Sequence, residues 1–318
     1  MKIETKGEPN AKIKLVSGSA FAIETAPHLP ALHQCILATG RRGIGKSVAI
    51  TSLLTMYKET GTLDRLLVIS PSFNSNIKLM AKLDVKAEDV FDNPDEPGLI
   101  SKIINIVDGE RDDFLRWKQL KVNFDRIMKQ MKGGFLPASD EYDDYLMSYY
   151  DMATNSFRMP TPKYECYKEG RPPVLALFMD DCMCSKAFSD RKLASMVIKH
   201  RHLGQLPTGG AVGLTLAFTI QSYKAQNGLP KCVRNQATSI CIFRTRDLSE
   251  VKSIQESFGG EVDEDTFYAL YREATEGNLH DFLFIDIGKL KPNQASMFRR
   301  NFDEYLIVSK EDVAKKEV

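Results

Sequence analysis

The sequence predicts an α/β fold with a mostly parallel central sheet flanked by helices. Short apolar runs recur along the 318 residues, separated by long helical or irregular stretches, the spacing that crossover connections between parallel strands require. Several of these runs are continuously hydrophobic rather than alternating, as in strands covered on both faces. The first run leads directly into a glycine-rich turn and then a helical pattern, the strand–turn–helix unit from which parallel sheets are built.

In chain order the expected strands are Cys35–Thr39, Arg65–Ser70, Val174–Asp180, Gly213–Gln221, Ser239–Arg244 and Asp281–Ile287, with a helix over Val48–Tyr57 after the first. Between Ser72 and Arg171 the composition changes. Phe114, Leu115, Trp117, Leu120, Phe124, Ile127, Met128 and Met131 recur at spacings of three and four, which predicts an amphipathic helix over Arg111–Lys132, ended by Gly133 and Gly134 with Pro137 beyond. Asp140–Met152 mixes acidic residues with Tyr142, Tyr145, Tyr149 and Tyr150 and predicts a second helix. Residues 72–171 are therefore expected to contain a helical insertion packed on the sheet's edge, within a single domain spanning 1–318. Two roles fit it: a hairpin with a solvated acidic face, or a moving lid or partner-binding element.

Composition bounds the function. Hydrophobic residues at 43% and charged residues at 27% are ordinary for a globular chain and exclude collagen-like, disordered and coiled-coil readings. Lys+Arg 43 against Asp+Glu 42 leaves a net charge of +1, which excludes a static basic coat for nucleic acid but not local basic patches. The apolar run from Ala211 to Ile220 is too short to cross a bilayer. The start, MKIETKGEPNAKIK, carries charges of both signs and no apolar core, unlike a secretory signal. Cysteines 35, 166, 182, 184, 232 and 241 are expected to be reduced core residues. Cys182 and Cys184 lack a second Cys/His pair at zinc spacing.

The chemistry begins at Gly40, Arg41, Arg42, Gly43, Ile44, Gly45, Lys46 and Ser47, which match G-x-x-x-x-G-K-[ST] between a strand and a helix. In such a loop backbone N–H groups converge on phosphates and the helix N-terminus adds its dipole. Lys46 reaches the β and γ phosphates, and Ser47 ligates magnesium. This predicts ATP with Mg2+ as the bound pair. A second strand, Val174–Met179, ends in Asp180 and Asp181, the pattern of a Walker B site. Asp180 would hold magnesium and Asp181 would polarise the attacking water, which marks a hydrolase rather than a small-molecule kinase. A third strand ends in Gln221. Ligands of open α/β sheets lie outside the carboxyl ends of the strands, so its amide is expected to face the same crevice and contact the lytic water or the γ-phosphate.

Taken in order, GRRGIGKS, LLVISPSFNSN, LALFMDDC, KHRHLG before GLTLAFTIQSY, and LPKCVRNQATSICIFR resemble the FtsK–HerA superfamily of ring-forming DNA-pumping ATPases. Within it the wording is closer to the genome-packaging ATPases of poxvirus-like large DNA viruses, virophages and internal-membrane phages. The resemblance runs from Gln34 to Thr245, skipping the insertion, with a looser echo in FLFIDIGKLKPNQASMFRRNFDEYL. It departs from the usual pattern in the length of the insertion and in carrying Asp rather than Glu at Asp181. It implies a RecA-like P-loop NTPase working as a homo-oligomeric ring, pentamer or hexamer, on double-stranded DNA, docked on a capsid or portal-vertex protein in the virion or host-cell cytoplasm. It also implies an arginine finger supplied across the subunit interface, for which Arg201 in KHRHLG and Arg234 in VRNQ match, with His200 and His202 as local hydrogen-bonding residues. DNA phosphates would meet a few cations, drawn from Lys186, Arg191, Lys192, Lys199, Lys224, Lys231 and Arg234. Lys289, Lys291, Arg299 and Arg300 form a further basic stretch for DNA or a capsid partner.

Three other readings remain at this level. A cellular or conjugative translocase of the same superfamily shares the motifs. A GTPase switch or small-molecule kinase would use Ser309, Lys310, Glu311 and Asp312, which approximate a guanine-reading N-K-x-D with Ser in place of Asn. A non-catalytic ATP-binding protein would not need the paired acids at 180 and 181.

Overall fold

The computed structural model describes residues 23–73, 81–134, 143, 149–225, 228–259, 262–288 and 294–308. In chain order the strands are β1 (Cys35–Thr39), β2 (Arg65–Ile69), β3 (Val90–Phe91), β4 (Tyr150–Asp151), β5 (Ser156–Phe157), β6 (Leu175–Met179), β7 (Thr215–Ile220), β8 (Ser239–Phe243), β9 (Phe282–Asp286), β10 (Phe298–Arg300) and β11 (Glu304–Tyr305). All six expected strands form within two residues of their predicted ends. Nine of the eleven strands make one sheet in the order β11, β10, β9, β8, β1, β7, β6, β2, β3. From β8 to β3 every pairing is parallel, whereas β9, β10 and β11 are antiparallel additions at one side.

Successive side chains of a strand point to opposite faces, and here both faces are dry. Cys35, Leu37, Leu67, Ile69, Leu177, Phe218 and Ile242 build the core on one face, with Ile100, Ile103, Val107, Leu193, Val251 and Phe267 from the helices above them. Ile36, Ala38, Val68, Phe178, Ala217 and Cys241 build the other, against Ile50, Leu53, Leu54 and Tyr57. The covering helices are α1 (Lys46–Glu59), α2 (Leu99–Lys132), α3 (Lys186–Ser189), α4 (Arg191–Ile198), α5 (Lys231–Arg234), α6 (Leu248–Phe258) and α7 (Glu264–Thr275). Asp190, Asp247 and Asp263 cap α4, α6 and α7 by accepting from backbone N–H groups of the first turn.

The insertion differs from its expectation in two ways. Helix α2 begins at Leu99 rather than Arg111, because Ile100, Ile103 and Val107 extend the buried stripe onto the sheet. Of the second helix expected over Asp140–Met152, Asp143 and Tyr149 are helical and most of the rest lies outside the described residues, but it stops short of its expected end. Tyr150–Asp151 is instead a strand paired antiparallel with Ser156–Phe157. The Asp151 carboxylate accepts from Ala153 N–H and Thr154 Oγ1, closing a turn that a helix would not allow. The base of α2 is tied to the sheet's edge by ions. Arg65 on β2 donates to Asp89 and to Glu110 of α2, and the buried Glu110 carboxylate also accepts from Lys163 Nζ at 2.8 Å and Tyr164 OH at 3.0 Å. Phe114, Trp117, Cys166, Tyr167 and Leu206 form a separate apolar cluster beside it.

Two further expectations are corrected. Arg299 is not part of an exposed basic stretch: it is fully buried, donates to the His28 carbonyl at 2.8 Å and the Phe302 carbonyl at 3.1 Å, and lies over the rings of Phe284 and Tyr305. Arg300 is paired with Glu273 and Glu304. Lys289 and Lys291 lie outside the described residues. Of the six cysteines, Cys184 and Cys232 are exposed and only the other four are core.

At the amino-terminal rim of the sheet His33 bridges β1 and β7. Its Nε2–H donates to the Val212 carbonyl at 3.0 Å, which leaves Nδ1 to accept from Thr215 Oγ1 at 3.1 Å. Burial lowers the pKa of this neutral ring to about 4. The unfolded chain takes up a proton near 6.5 that the folded chain refuses, so stability is full above pH about 6.5 and is lost as pH falls towards 4. Urea denaturation across this window will show that slope, and His33→Gln will flatten it.

Candidate nucleotide-binding and hydrolytic site

The loop from Gly40 to Ser47 leaves β1 at the carboxyl rim of the sheet and opens α1. Gly40 is required sterically: a Cβ there would stand 2.8 Å from the Phe243 Cβ on the neighbouring strand. Ile44 is buried and anchors the loop, while Arg41, Arg42 and Gly43 are exposed. The Lys46 ammonium donates back to the loop carbonyls of Gly40 at 2.7 Å and Arg41 at 3.0 Å. Burial lowers its pKa, and the nearby carboxylates of Asp181 and Asp180 partly oppose that shift.

Parallel registry brings the other two strand ends to the same rim. Thr39 of β1 lies beside Ile220 of β7, and Phe218 of β7 beside Met179 of β6. The next residues, Asp180 and Gln221, therefore emerge next to the loop. Ser47 Oγ donates to Asp180 Oδ1 at 2.7 Å, and Thr219 Oγ1 donates to the same oxygen at 2.7 Å. Burial raises the pKa of Asp180, and these two hydrogen bonds pull it back. The following residue, Asp181, adopts a left-handed backbone with φ 51°, uncommon for a non-glycine residue and a mark of local strain. Its N–H donates to Thr219 Oγ1 at 2.9 Å, and its exposed carboxylate accepts from Gln221 Nε2 at 2.9 Å.

The resulting cleft has a volume of about 810 Å³ and holds the predicted residues Arg42, Gly43, Gly45, Lys46, Ser47, Asp180, Asp181 and Gln221 in its walls. A serine hydroxyl beside a single ionisable carboxylate suits a magnesium ion completed by phosphate oxygens and water. Among the described residues no group of three or more His, Cys, Asp or Glu could hold a metal by itself, so a cation bound here would need oxygens from a ligand or from water.

The two candidate arginines are not in this cleft. Arg201 is exposed at the opposite rim, beside a small cavity walled by Leu32, His33, Pro172, Val174 and Val212. These residues all precede strands, and a five-residue strand places them about 16 Å below the loop. Arg234 is engaged: it donates to the Tyr223 carbonyl and its guanidinium lies 4.8 Å from the Tyr223 ring centroid. The segment after Gln221 is held a second time by Glu250 of α6, which accepts from Tyr223 N–H at 3.0 Å and from Ser222 Oγ. His200 makes a local hydrogen bond to the Val197 carbonyl, as expected. The cations proposed for DNA at Lys186, Arg191, Lys199, Lys224 and Lys231 are exposed, and Lys192 is exposed but donates to Ser101.

Thr219, Glu250, His280, Asp281 and Asn301 escaped the sequence reading. Thr219 left a trace, a hydroxyl two residues before the strand's terminal glutamine. The others come from distant segments that only the antiparallel strands and α6 bring in.

No protein-family model matches the chain, and no curated protein matches it. Among solved structures it is similar to the genome packaging NTPase B204 of Sulfolobus turreted icosahedral virus 2 in complex with ATP-gammaS, at 12% identity over 86% of this chain and 98% of that one, TM-score 0.39. It is similar to ATPases 2 and 3 of EssC from Geobacillus thermodenitrificans at 14% identity, TM-score 0.45, over 89% of this chain but 42% of that one. It is also similar to the pCW3 conjugation coupling protein TcpA with ATPgS, at 13% identity over 91% and 71% of the two chains, TM-score 0.42.

Two outcomes follow from the geometry. Because the folded protein raises the Asp180 pKa, the ionised side chain costs stability as pH rises through that value. Asp180→Asn will therefore raise the thermal midpoint of the ligand-free protein at neutral pH, with the gain vanishing below pH about 4, while abolishing turnover. Glu250→Gln, which loosens the clamp behind Gln221, will lower kcat on the order of ten- to a hundredfold with little change in KM, as steady-state kinetics will show.

Proposed function

We propose that the protein is an ATP-driven motor that translocates double-stranded viral DNA into a preformed capsid. One observation carries the ATPase part: the ends of three adjacent strands, β1, β7 and β6, converge on one cleft, with Ser47, Asp180, Asp181 and Gln221 linked by hydrogen bonds. The ordered motif resemblance to packaging ATPases supports the DNA and capsid part, and the exposed cations around β6 and β7 are compatible with phosphate contacts.

In this mechanism the loop amides and the α1 N-terminus receive the phosphates, and Lys46 transfers its hydrogen bonds from the loop carbonyls to the β and γ phosphates. Ser47 and Asp180 would hold magnesium, whose positive charge would offset the negative charge of the phosphates. Asp181 and Gln221 form a pair that orients a water in line with the γ-phosphorus, with Asp181 accepting its proton. Gln221 responds to the presence of the γ-phosphate, and Tyr223, clamped by Glu250 and Arg234, transmits that response to α5 and α6. Arg234 thus serves as a positioning residue, which leaves Arg201 as the arginine presented to a neighbouring subunit in a ring.

Lys46→Ala and Asp181→Asn should each reduce DNA-stimulated ATP hydrolysis by on the order of a hundredfold or more while the circular dichroism spectrum and thermal midpoint stay close to wild type. Unchanged turnover in both variants refutes the assignment.

A further inference from the structure

The proposed chemistry uses one half of the cleft. Asp180, Asp181 and Gln221 all lie on the β7 and β6 side of β1, so a triphosphate in the loop points its γ end that way and its nucleoside end towards β8 and β9. That half of the cleft is built by the antiparallel part of the sheet. Phe282, the first residue of β9, lies opposite Phe243, the last of β8, so the segment preceding β9 arrives at the level of the phosphate loop. Strand β10 reverses again and delivers Asn301 to the same rim. His280, Asp281, Phe282 and Asn301 accordingly share the cleft's walls with Lys46 and Ser47.

These residues are fixed in place. His280 Nδ1–H donates to the Ile44 carbonyl of the phosphate loop at 2.9 Å, which leaves Nε2 without a proton in the neutral ring. The ring stands so close to Gly45 that a Cβ there would meet Nδ1 at 3.3 Å. The Asp281 carboxylate accepts from Asn278 N–H at 2.8 Å and from Asn301 Nδ2 at 3.0 Å. The Asn301 hydrogen bond holds its pKa below the usual carboxylate range, helped by the Asn278 N–H. Asn301 is itself locked, with φ 53°, by accepting from Phe282 N–H and donating its own N–H to the Phe282 carbonyl. The floor is aromatic: Phe282 packs on Phe243 and Phe302.

From this arrangement we infer that His280, Asp281 and Asn301 form the nucleoside subsite of the cleft, with the His280 imidazole as the plate for the base and the Asp281 carboxylate as acceptor for the ribose hydroxyls. An ionised carboxylate with spare lone pairs, fixed on a rigid turn, selects a neutral donor such as a diol and repels further phosphate. A planar ring pinned to the loop by one nitrogen offers its face at no ordering cost. The inference rests on the proposed phosphate site, and it makes the cleft a site for a whole ribonucleotide.

Calorimetric titration of the full-length protein with ATP, 2′,3′-dideoxy-ATP and inorganic triphosphate, each with magnesium, tests it. His280→Ala should weaken ATP binding about tenfold, as expected for one lost base–ring stack, and leave inorganic triphosphate affinity within twofold. His280→Phe, which keeps the plate, should restore most of the loss. Wild-type protein should prefer ATP to the dideoxy nucleotide, and Asp281→Asn should erase that preference. Unchanged ATP affinity in His280→Ala, or equal loss of ATP and triphosphate binding in properly folded variants, overturns the subsite. Lys46→Ala keeps the two readings apart: it should weaken ATP and triphosphate alike, and if it weakens neither, the phosphate site fails independently of the nucleoside subsite.

Discussion

The structure depends most on a single oxygen. Asp180 Oδ1 accepts from Ser47, the last residue of the phosphate loop, and from Thr219, near the end of β7, while the adjoining Asp181 N–H returns to the same threonine hydroxyl. Three segments separated by more than a hundred residues of chain, or by a whole crossover, are locked together at one point. The node is charged, desolvated and held by hydroxyls that a cation could replace as partners. A buried carboxylate of this kind costs stability unless it is fully hydrogen-bonded, so its two donors explain how the fold tolerates it. Function explains why a fold would keep it.

From that node the remaining geometry follows. The left-handed turn at Asp181 swings its carboxylate away from the buried strand end and towards Gln221, so that adjacent acids in the sequence take different roles: one inward on Ser47, the other outward in the cleft. Gln221 is in turn backed by Tyr223, with Glu250 and Arg234 gripping that residue's N–H and carbonyl. A change felt at the glutamine has a defined mechanical path to helices on the sheet's face. The antiparallel strands do a different job, closing the far end of the cleft with His280 and Asn301 and burying Arg299 as an internal strut.

What was legible in the sequence divides along physical lines. The six principal strands and the phosphate loop could be read because their signals are local: continuous apolar runs, glycine spacing and polar residues at strand tips. The early start of α2 was also written in Ile100, Ile103 and Val107, whose spacing continues the stripe that the reading began at Phe114. The acidic, tyrosine-rich pattern is helical at Asp143 and Tyr149, and only its end at Tyr150 was hidden, because the turn after Asp151 depends on side-chain hydrogen bonds. The burial of Arg299 depended on partners from His28, Asp286 and Phe302, and the clamp on Tyr223 on Glu250. None of these has a signature in its own neighbourhood, since each arises only when distant segments meet. Residues 309–312, which only approximate a guanine-reading motif, lie outside the described residues, as do Lys289 and Lys291.

The charge balance of 43 basic against 42 acidic residues fits a motor better than a coat. Arg65, Lys163, Arg299 and Arg300 are paired with acids, while Lys186, Arg191, Lys199, Lys224 and Lys231 stand exposed on the segments around β6 and β7. A motor that must release DNA at each step needs a few phosphate contacts rather than a uniform field. The direct measurement is the rate of ATP hydrolysis as a function of duplex DNA concentration, taken together with the mass of the assembled species. A saturable rise in rate, carried by a ring-sized oligomer and weakened by salt, is the result this account predicts. A rate indifferent to DNA at every concentration, from a protein that remains a monomer, would contradict it.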